Sequence, residues 1–111
     1  MSKVFIPHVP SRFDKVTRSW IPTVEIALAS KFGEIVTMLP PDAARAAINP
    51  CVTAMREQMA GFTAEDWVVA VGDPSLIGAA CVIATSKTRG LLRLLKWDRM
   101  LGDYIPIEVK L

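Results

Sequence analysis

The residue pattern most typical of a binding site is the Gly-Asp-Pro-Ser turn at residues 72–75. It follows an apolar run, residues 67–71, that predicts a strand buried on both faces, and it precedes a helix predicted over residues 75–86. In open α/β sheets, ligands bind beyond the carboxyl ends of the strands, where the first N–H groups of a helix attract anions. The candidate anion-binding residues are therefore Gly72, Asp73 and Ser75.

The same turn also has a purely structural interpretation. Asp73 is a preferred N-cap residue, and Pro74 suits the first position of a helix. The carboxylate of Asp73 would also repel a phosphate at close range. Neither G-x-x-x-x-G-K-[ST] nor G-x-G-x-x-G occurs in the chain. The sequence therefore favours helix capping over a small nucleotide-binding enzyme built on this turn.

A second candidate site comes from basic residues, which lie near both ends of the chain around an acidic middle. Four basic residues face one acidic residue in residues 1–19, five face one in residues 87–99, and three face seven in residues 20–86. Cations neutralise phosphates and aromatic rings stack on bases, so both basic segments are candidates for nucleic-acid binding. The candidate residues are Arg12, Lys15, Arg18, Lys87, Arg89, Arg93, Lys96, Trp97 and Arg99.

These basic segments have a structural interpretation as well. Strand alternation places Arg93, Trp97 and Arg99 on one face and Lys96 on the other, so the cations do not form a single stripe. A core strand whose basic head groups reach water explains that segment, and a solvated hairpin loop explains residues 12–18.

The residues needed for catalysis or metal binding do not assemble in the sequence. His8 is the only histidine, no G-x-S-x-G elbow is present, and Cys51 and Cys81 lie in apolar surroundings typical of buried, unreactive thiols. No C-x-x-C spacing and no cluster of carboxylates occurs. The sequence predicts no catalytic residue, no metal site and no cofactor, and it favours a protein that is not an enzyme.

The elements that would position these residues follow from periodicity and turn signals. We expect an N-terminal hairpin of two strands joined by a long basic loop, and the proline in each strand places both at a sheet edge or at bulges. A strand and an alanine-rich helical region follow, then a strand–helix–strand unit over residues 67–97 and a closing hairpin. The predicted strands are residues 4–9, 20–26, 34–39, 67–71, 91–97 and 104–111, and the predicted helices are residues 43–47, 51–59 and 75–86.

The totals fit one domain over residues 1–111, because the chain is 51% hydrophobic and its net charge is only +2. The expected fold is α/β (α+β), a single domain with a mixed five- to six-stranded sheet, two or three helices and a C-terminal β-hairpin. No apolar stretch reaches membrane-spanning length and no signal peptide is recognised, so we expect a cytoplasmic protein with no membrane partner.

Four short segments carry a resemblance to a known group of proteins. They read PSRFD at residues 10–14, MLPP at 38–41, VAVGDP at 69–74 and LKWDR at 95–99. Together they resemble a pattern found in small bacteriophage-encoded proteins of uncharacterised function. The resemblance implies a virus-encoded accessory protein in a bacterial cytoplasm, and it implies no catalytic or binding residues.

Two main hypotheses remain open. The first is a non-enzymatic accessory protein that binds nucleic acid through its basic terminal segments. The second is a protein-interaction or self-assembling structural module, suggested by the excess of apolar residues and by the proline-marked edge strands. The sequence does not decide between a nucleic-acid partner, another protein and a second copy of the chain.

Overall fold

The order of strands and helices along the chain defines an α/β protein, seen in a computed structural model that describes residues 2–111. Two α-helices and two short 3₁₀ helices alternate with the strands. The strands are β1 (Lys3–His8), β2 (Ser11–Asp14), β3 (Ser19–Pro22), β4 (Glu34–Leu39), β5 (Trp67–Val69), β6 (Leu91–Asp98) and β7 (Asp103–Lys110). The helices are α1 (Ile48–Gln58), α2 (Pro74–Thr88) and the 3₁₀ helices Ile26–Phe32 and Ala43–Arg45.

Five strands form the central sheet, in the order β4-β1-β5-β6-β7. Strand β1 is parallel to β4 and β5, β5 is parallel to β6, and β7 closes the sheet antiparallel to β6. Strands β2 and β3 form a separate antiparallel hairpin. The expected fold class, a mixed sheet with helices and a C-terminal hairpin, is confirmed.

The strand–helix–strand unit predicted over residues 67–97 is present. All three residues of β5 are buried, and Asp73 caps α2 by accepting the N–H groups of Ser75 at 3.0 Å and Leu76 at 3.3 Å. Arg89 and Gly90 end the helix with positive φ angles of 57° and 91°. The chain then returns as β6, in which Leu94 pairs with Val68 of β5.

Helical segments cover both faces of the sheet. Helices α1 and α2 pack on one face, where Met55 and Met59 are fully buried. The 3₁₀ helix Ile26–Phe32 packs on the other face through the buried Ala29. From β1 the chain crosses to β4, and it then runs back past β1 to β5 and β6. Right-handed crossovers in opposite directions place their connections on opposite faces of a sheet.

The prediction of an N-terminal hairpin of edge strands is wrong. Strand β1 is central, although it contains Pro7, a residue usually confined to edge strands. Pro7 is tolerated because only Val4 and Phe5 of β1 pair with β5. On the other side, Ile6 and His8 pair with β4 and Pro7 between them does not. The missing N–H of the proline therefore falls where the ladder does not use it.

Strand β2 and the turn of the β2–β3 hairpin occupy the segment expected to be a long basic loop, and β3 covers the start of the strand predicted over residues 20–26. Its loop is only four residues long, residues 15–18, and the Asp14 carboxylate holds it by accepting the Val16 N–H at 2.9 Å and the Thr17 hydroxyl at 3.1 Å. At the base of the hairpin, the N–H of Thr23 donates to the Pro10 carbonyl at 2.8 Å. These local bonds order a polar segment whose pattern resembles a loop.

The helical region before β5 differs in detail from the prediction. The predicted helix over residues 43–47 is a single 3₁₀ turn, Ala43–Arg45, and the Asp42 side chain makes no capping bond to it. Helix α1 begins at Ile48, with Ala47 as its N-cap, three residues before the predicted start at residue 51. No helix within residues 2–111 combines the length and apolar content needed to cross a lipid bilayer.

Candidate functional site

A crevice of about 350 Å³ lies at the carboxyl edge of the central sheet. It is bordered by the segments that follow β1, β4 and β5, and by the β2–β3 hairpin. This is the point where the crossovers from β1 and from β5 leave in opposite directions, the usual place for ligands in open α/β sheets. The crevice is lined by His8, Pro10, Ser11, Trp20, Thr23, Pro41, Asp42, Ala44, Arg45, Gly72 and Asp73.

The imidazole of His8 lies against the backbone of Gly72. A Cβ atom at residue 72 would come within 2.6 Å of His8 Cε1 and 2.9 Å of the His8 carbonyl oxygen. Gly72 also has a φ of +104°, in the left-handed region that side chains disfavour. Glycine is therefore required here twice over, for the turn and for the space that the histidine fills.

His8 is only 4% exposed and forms one long hydrogen bond, in which its Nδ1 accepts the Asp73 N–H at 3.4 Å. Burial lowers the pKa of His8 from its usual value of 6.5, against a smaller opposing effect of the Asp73 charge. The ring is therefore neutral at pH 7, and Nδ1 as acceptor places its proton on Nε2. That Nε2 makes no hydrogen bond to any residue of the described chain 2–111.

The Asp73 carboxylate occupies the amino end of α2. Besides the two backbone N–H groups, it accepts a hydrogen bond from the Ser75 hydroxyl, and these bonds hold its pKa below the usual value of 3.8. The carboxylate thus sits where an anion would bind to the helix. Anion binding by Gly72, Asp73 and Ser75 stays a prediction, and the geometry of the turn is that of an N-cap.

Sequence reasoning pointed to the Gly72–Asp73 turn but missed the other residues that the fold brings to it. His8 matches no hydrolase motif, yet it lies next to Gly72, which follows it by 64 positions. Arg45 carries no signal in the sequence, and Trp20 falls there only within a predicted strand. Their convergence depends on parallel pairing between strands distant in the sequence, which no local pattern indicates.

The β2–β3 hairpin carries a second notable feature, an exposed aromatic pair. Phe13 and Trp20 are cross-strand neighbours whose ring centroids lie 5.4 Å apart at 70°, and they are 48% and 40% exposed. The predicted contact residues Arg12, Lys15 and Arg18 are all exposed on the same hairpin. We call this segment, residues 11–22, the aromatic hairpin.

The remaining predicted contact residues are not brought together. Lys87 and Arg89 lie at the end of α2 and so at the amino edge of the sheet, opposite the aromatic hairpin. Lys96 is exposed near the end of β6, and Arg99 is exposed in the turn after it. The nine predicted residues therefore do not form one surface.

Two predicted contact residues on β6 are engaged inside the fold. The Arg93 guanidinium lies over the Trp67 ring, 3.9 Å from its centroid, and its Nε is 3.5 Å from a Glu108 carboxylate oxygen. Trp97 packs edge-on against Tyr104, with ring centroids 5.0 Å apart. Arg93 and Trp97 therefore stabilise the β6–β7 side of the sheet.

No set of side chains for metal binding is found within residues 2–111, where no three His, Cys, Asp or Glu residues cluster. Cys51 is buried in α1 and Cys81 is half-buried in α2, and both are free thiols. Burial raises the pKa of the Cys81 thiol, which disfavours the reactive thiolate. The described residues therefore hold no activated cysteine.

A second groove, of about 380 Å³, runs between α1 and α2. Its polar lining residues Arg56, Glu57 and Lys87 are exposed, and the one buried residue is the apolar Ile83. No buried polar group faces this groove, in contrast to His8 in the crevice. The crevice is therefore the better candidate for a specific ligand site.

The fold and the crevice define an α/β protein with a switch-point cleft and an inserted hairpin. The chain matches the family described as Phage Pam3 gp32-like protein over residues 2–111, and it belongs to that family. The resemblance to small phage-encoded proteins is thereby confirmed. Comparison with curated proteins gave no match, and neither did comparison with solved structures.

Replacing Gly72 by alanine tests the close approach to His8. We expect Gly72→Ala to lower the free energy of unfolding by about 2–4 kcal/mol, because the added methyl meets the imidazole in a strained backbone region. Gly78→Ala is the matched control, since nothing lies within 4 Å of a Cβ at that helical position. The control should gain up to about 1 kcal/mol. Urea unfolding measures both, and equal values would refute the contact.

The lowered pKa of His8 predicts that stability depends on pH. The unfolded chain takes up a proton near pH 6.5 while folded His8 resists it, so the free energy of unfolding falls as the pH drops below 6.5 and levels off below the folded pKa. The NMR titration of this single histidine should give a pKa below 6.5, and Asp73→Asn should lower it further. A His8 pKa of 6.5 or above in the native protein contradicts the prediction.

Proposed function

We propose that this protein is a non-enzymatic phage accessory protein that acts in the host cytoplasm and binds nucleic acid through the aromatic hairpin. The observation that carries the proposal is the exposed Phe13–Trp20 pair on a hairpin that also carries three exposed cations. Exposed aromatic side chains offer a stacking surface for bases, and arginine and lysine neutralise the phosphates on either side. A two-stranded ribbon is also narrow enough to enter a nucleic-acid groove.

The charges of the hairpin support this proposal. The Arg12, Lys15 and Arg18 side chains form no ion pair within residues 2–111. The one carboxylate of the hairpin, Asp14, is engaged with the loop through the Val16 N–H and the Thr17 hydroxyl. The cations are therefore available to a partner, while the acid has a local structural role.

Most of the other predicted contact residues lie too far from the aromatic hairpin, or are too engaged in the fold, to share a binding surface with it. Lys87 and Arg89 lie at the opposite edge, and Arg93 is held by Trp67 and Glu108. Arg99 follows β6, two strands from β1 and so about 10 Å across the carboxyl edge. We therefore assign the main contact to residues 11–22, with Arg99 as the nearest additional cation from β6.

Fluorescence anisotropy with a labelled single-stranded oligonucleotide, at several salt concentrations, tests the proposal. We expect micromolar binding that weakens as salt rises. The triple variant Arg12→Gln, Lys15→Gln, Arg18→Gln should lower the slope of log K against log salt by about 2, since each lost phosphate contact contributes about 0.7. Phe13→Ala should weaken binding by roughly 5- to 150-fold through lost stacking.

The matched control carries the same change in charge away from the hairpin. Arg56→Gln, Lys87→Gln, Lys110→Gln removes three exposed cations from α1, α2 and β7, and it should bind almost as the native protein does. An equal loss in both triple variants would show that only net charge matters. Absence of salt-sensitive binding by the native protein would end the proposal.

A second candidate function is self-association or binding of another protein. It is favoured by Met100 and Leu101, adjacent apolar residues in the β6–β7 turn that are 97% and 70% exposed. If this turn mediates self-association, light scattering during size exclusion should detect an oligomer that Met100→Ser, Leu101→Ser converts to a monomer. Val16→Ser, at the equally exposed tip of the aromatic hairpin, serves as control. A native protein that is monomeric at all concentrations rules out self-association.

A further inference from the structure

We propose that the crevice holds a single unstacked nucleobase of a strand bound by the aromatic hairpin, with Trp20 as a wall, Arg45 beside the adjoining phosphate and His8 Nε2–H as the donor at its base. This inference rests on the proposed function, and it adds the substrate class: single-stranded nucleic acid. Trp20 connects the two sites, since it belongs to the exposed pair and also lines the crevice.

His8 supplies a hydrogen-bond donor that is open to the crevice. The residue is 4% exposed, and its Nε2 has no hydrogen-bond partner among residues 2–111 while remaining accessible to solvent. The imidazole lines the crevice, and Gly72 leaves it the space to do so. An acceptor atom on a ligand, or water in its absence, would satisfy this donor.

The side chains that line the crevice favour a nucleobase over a simple anion. Asp73 and Asp42 bring negative charge, and Asp73 already occupies the N–H groups at the start of α2. Inorganic phosphate would meet these carboxylates with Arg45 as the one cation among the lining residues. A neutral ring that bears both donors and acceptors can face Asp42 and His8 together without that repulsion.

The size and the apolar lining of the crevice suit a single base. Its volume of about 350 Å³ lies at the small end of the range for ligand pockets, which suits one base rather than a dinucleotide. Pro10, Pro41, Ala44 and the Trp20 indole supply apolar surface for the faces of a flat ring. An opening beside a cationic hairpin lets the flanking backbone remain outside.

The test compares oligonucleotides of equal length, deoxythymidine, deoxycytidine and deoxyadenosine homopolymers and a fully abasic strand, with anisotropy and NMR as readouts. His8 is the only histidine in the chain, so its ring signals are assigned without ambiguity. We expect the homopolymers to shift the His8 Hε1 and Nε2 resonances and the abasic strand to leave them in place while still binding in a salt-sensitive way. Affinities should also differ among the three homopolymers.

The variant that tests the crevice without disturbing the core is Arg45→Gln, since Arg45 is exposed on a short 3₁₀ turn. We expect roughly tenfold weaker binding of the best homopolymer, from the loss of one charge-assisted bond, and little change for the abasic strand. Arg56→Gln, in the groove between α1 and α2 and outside the crevice lining, is the control for charge and should change neither affinity.

The outcomes separate this inference from the proposed function. If homopolymers bind through the hairpin while the His8 signals stay unmoved and Arg45→Gln binds like the native protein, the base does not enter the crevice and the hairpin proposal stands. If no oligonucleotide binds, both proposals fall. Shifted His8 signals with a selective loss in Arg45→Gln support both.

Discussion

Strand β1 pairs in parallel with β4 on one side and with β5 on the other, and the rest of the fold follows from that pairing. Because its neighbours are reached by crossovers in opposite directions, the covering helices are divided between the two faces of the sheet. The same division separates the segments that follow β1 and β5, so a cleft opens between them. Val4 and Ile6, fully buried in β1, secure this strand in the core.

The contact between His8 and Gly72 joins the carboxyl ends of β1 and β5. Burial at this contact lowers the pKa of the His8 imidazole and so favours its neutral form. A neutral ring acts as a hydrogen-bond donor and acceptor rather than as a cation. The Asp73 N–H donates to one ring nitrogen, and the other has no hydrogen-bond partner among the described residues. A structural constraint, the glycine that the turn requires, thus also determines the orientation of the one histidine.

Local signals predicted those parts of the fold whose contacts are local in sequence. The apolar strand, the Asp73 cap and Gly90 specify β5, α2 and the start of β6, and the closing hairpin follows from its turn and alternation. Strand β1 was misplaced because Pro7 is typical of an edge, and only the register with distant strands shows why the interior accepts it. Strand β2 and the turn of the aromatic hairpin are not predicted because their order comes from hydrogen bonds of Asp14 and Thr23, in a segment that buries little of its apolar surface.

The candidate site was predictable only where one turn carried it. The sequence identifies the Gly72–Asp73 turn. His8 at the end of β1, Trp20 in β3 and Arg45 after β4 lie far apart in the sequence, so their spacing does not predict that they meet at this turn. The long basic segment near the C-terminus shows the converse. Its residues are adjacent in sequence, but the pleat of β6 and the turn at its start distribute them between two faces and two edges of the sheet.

Carboxylates at the carboxyl edge and in the aromatic hairpin have structural roles in their own turns. Asp14, Asp73 and Asp98 each accept N–H groups of their own turns, with Asp98 binding those of Met100 at 2.9 Å and Leu101 at 3.1 Å. These charge-assisted hydrogen bonds hold the turns in place. Arg12, Lys15, Arg18 and Arg99 form no ion pair in the described part of the chain. For the nucleic-acid binding that we propose, acids that build the turns beside cations that remain free would offer a polyanion a rigid surface.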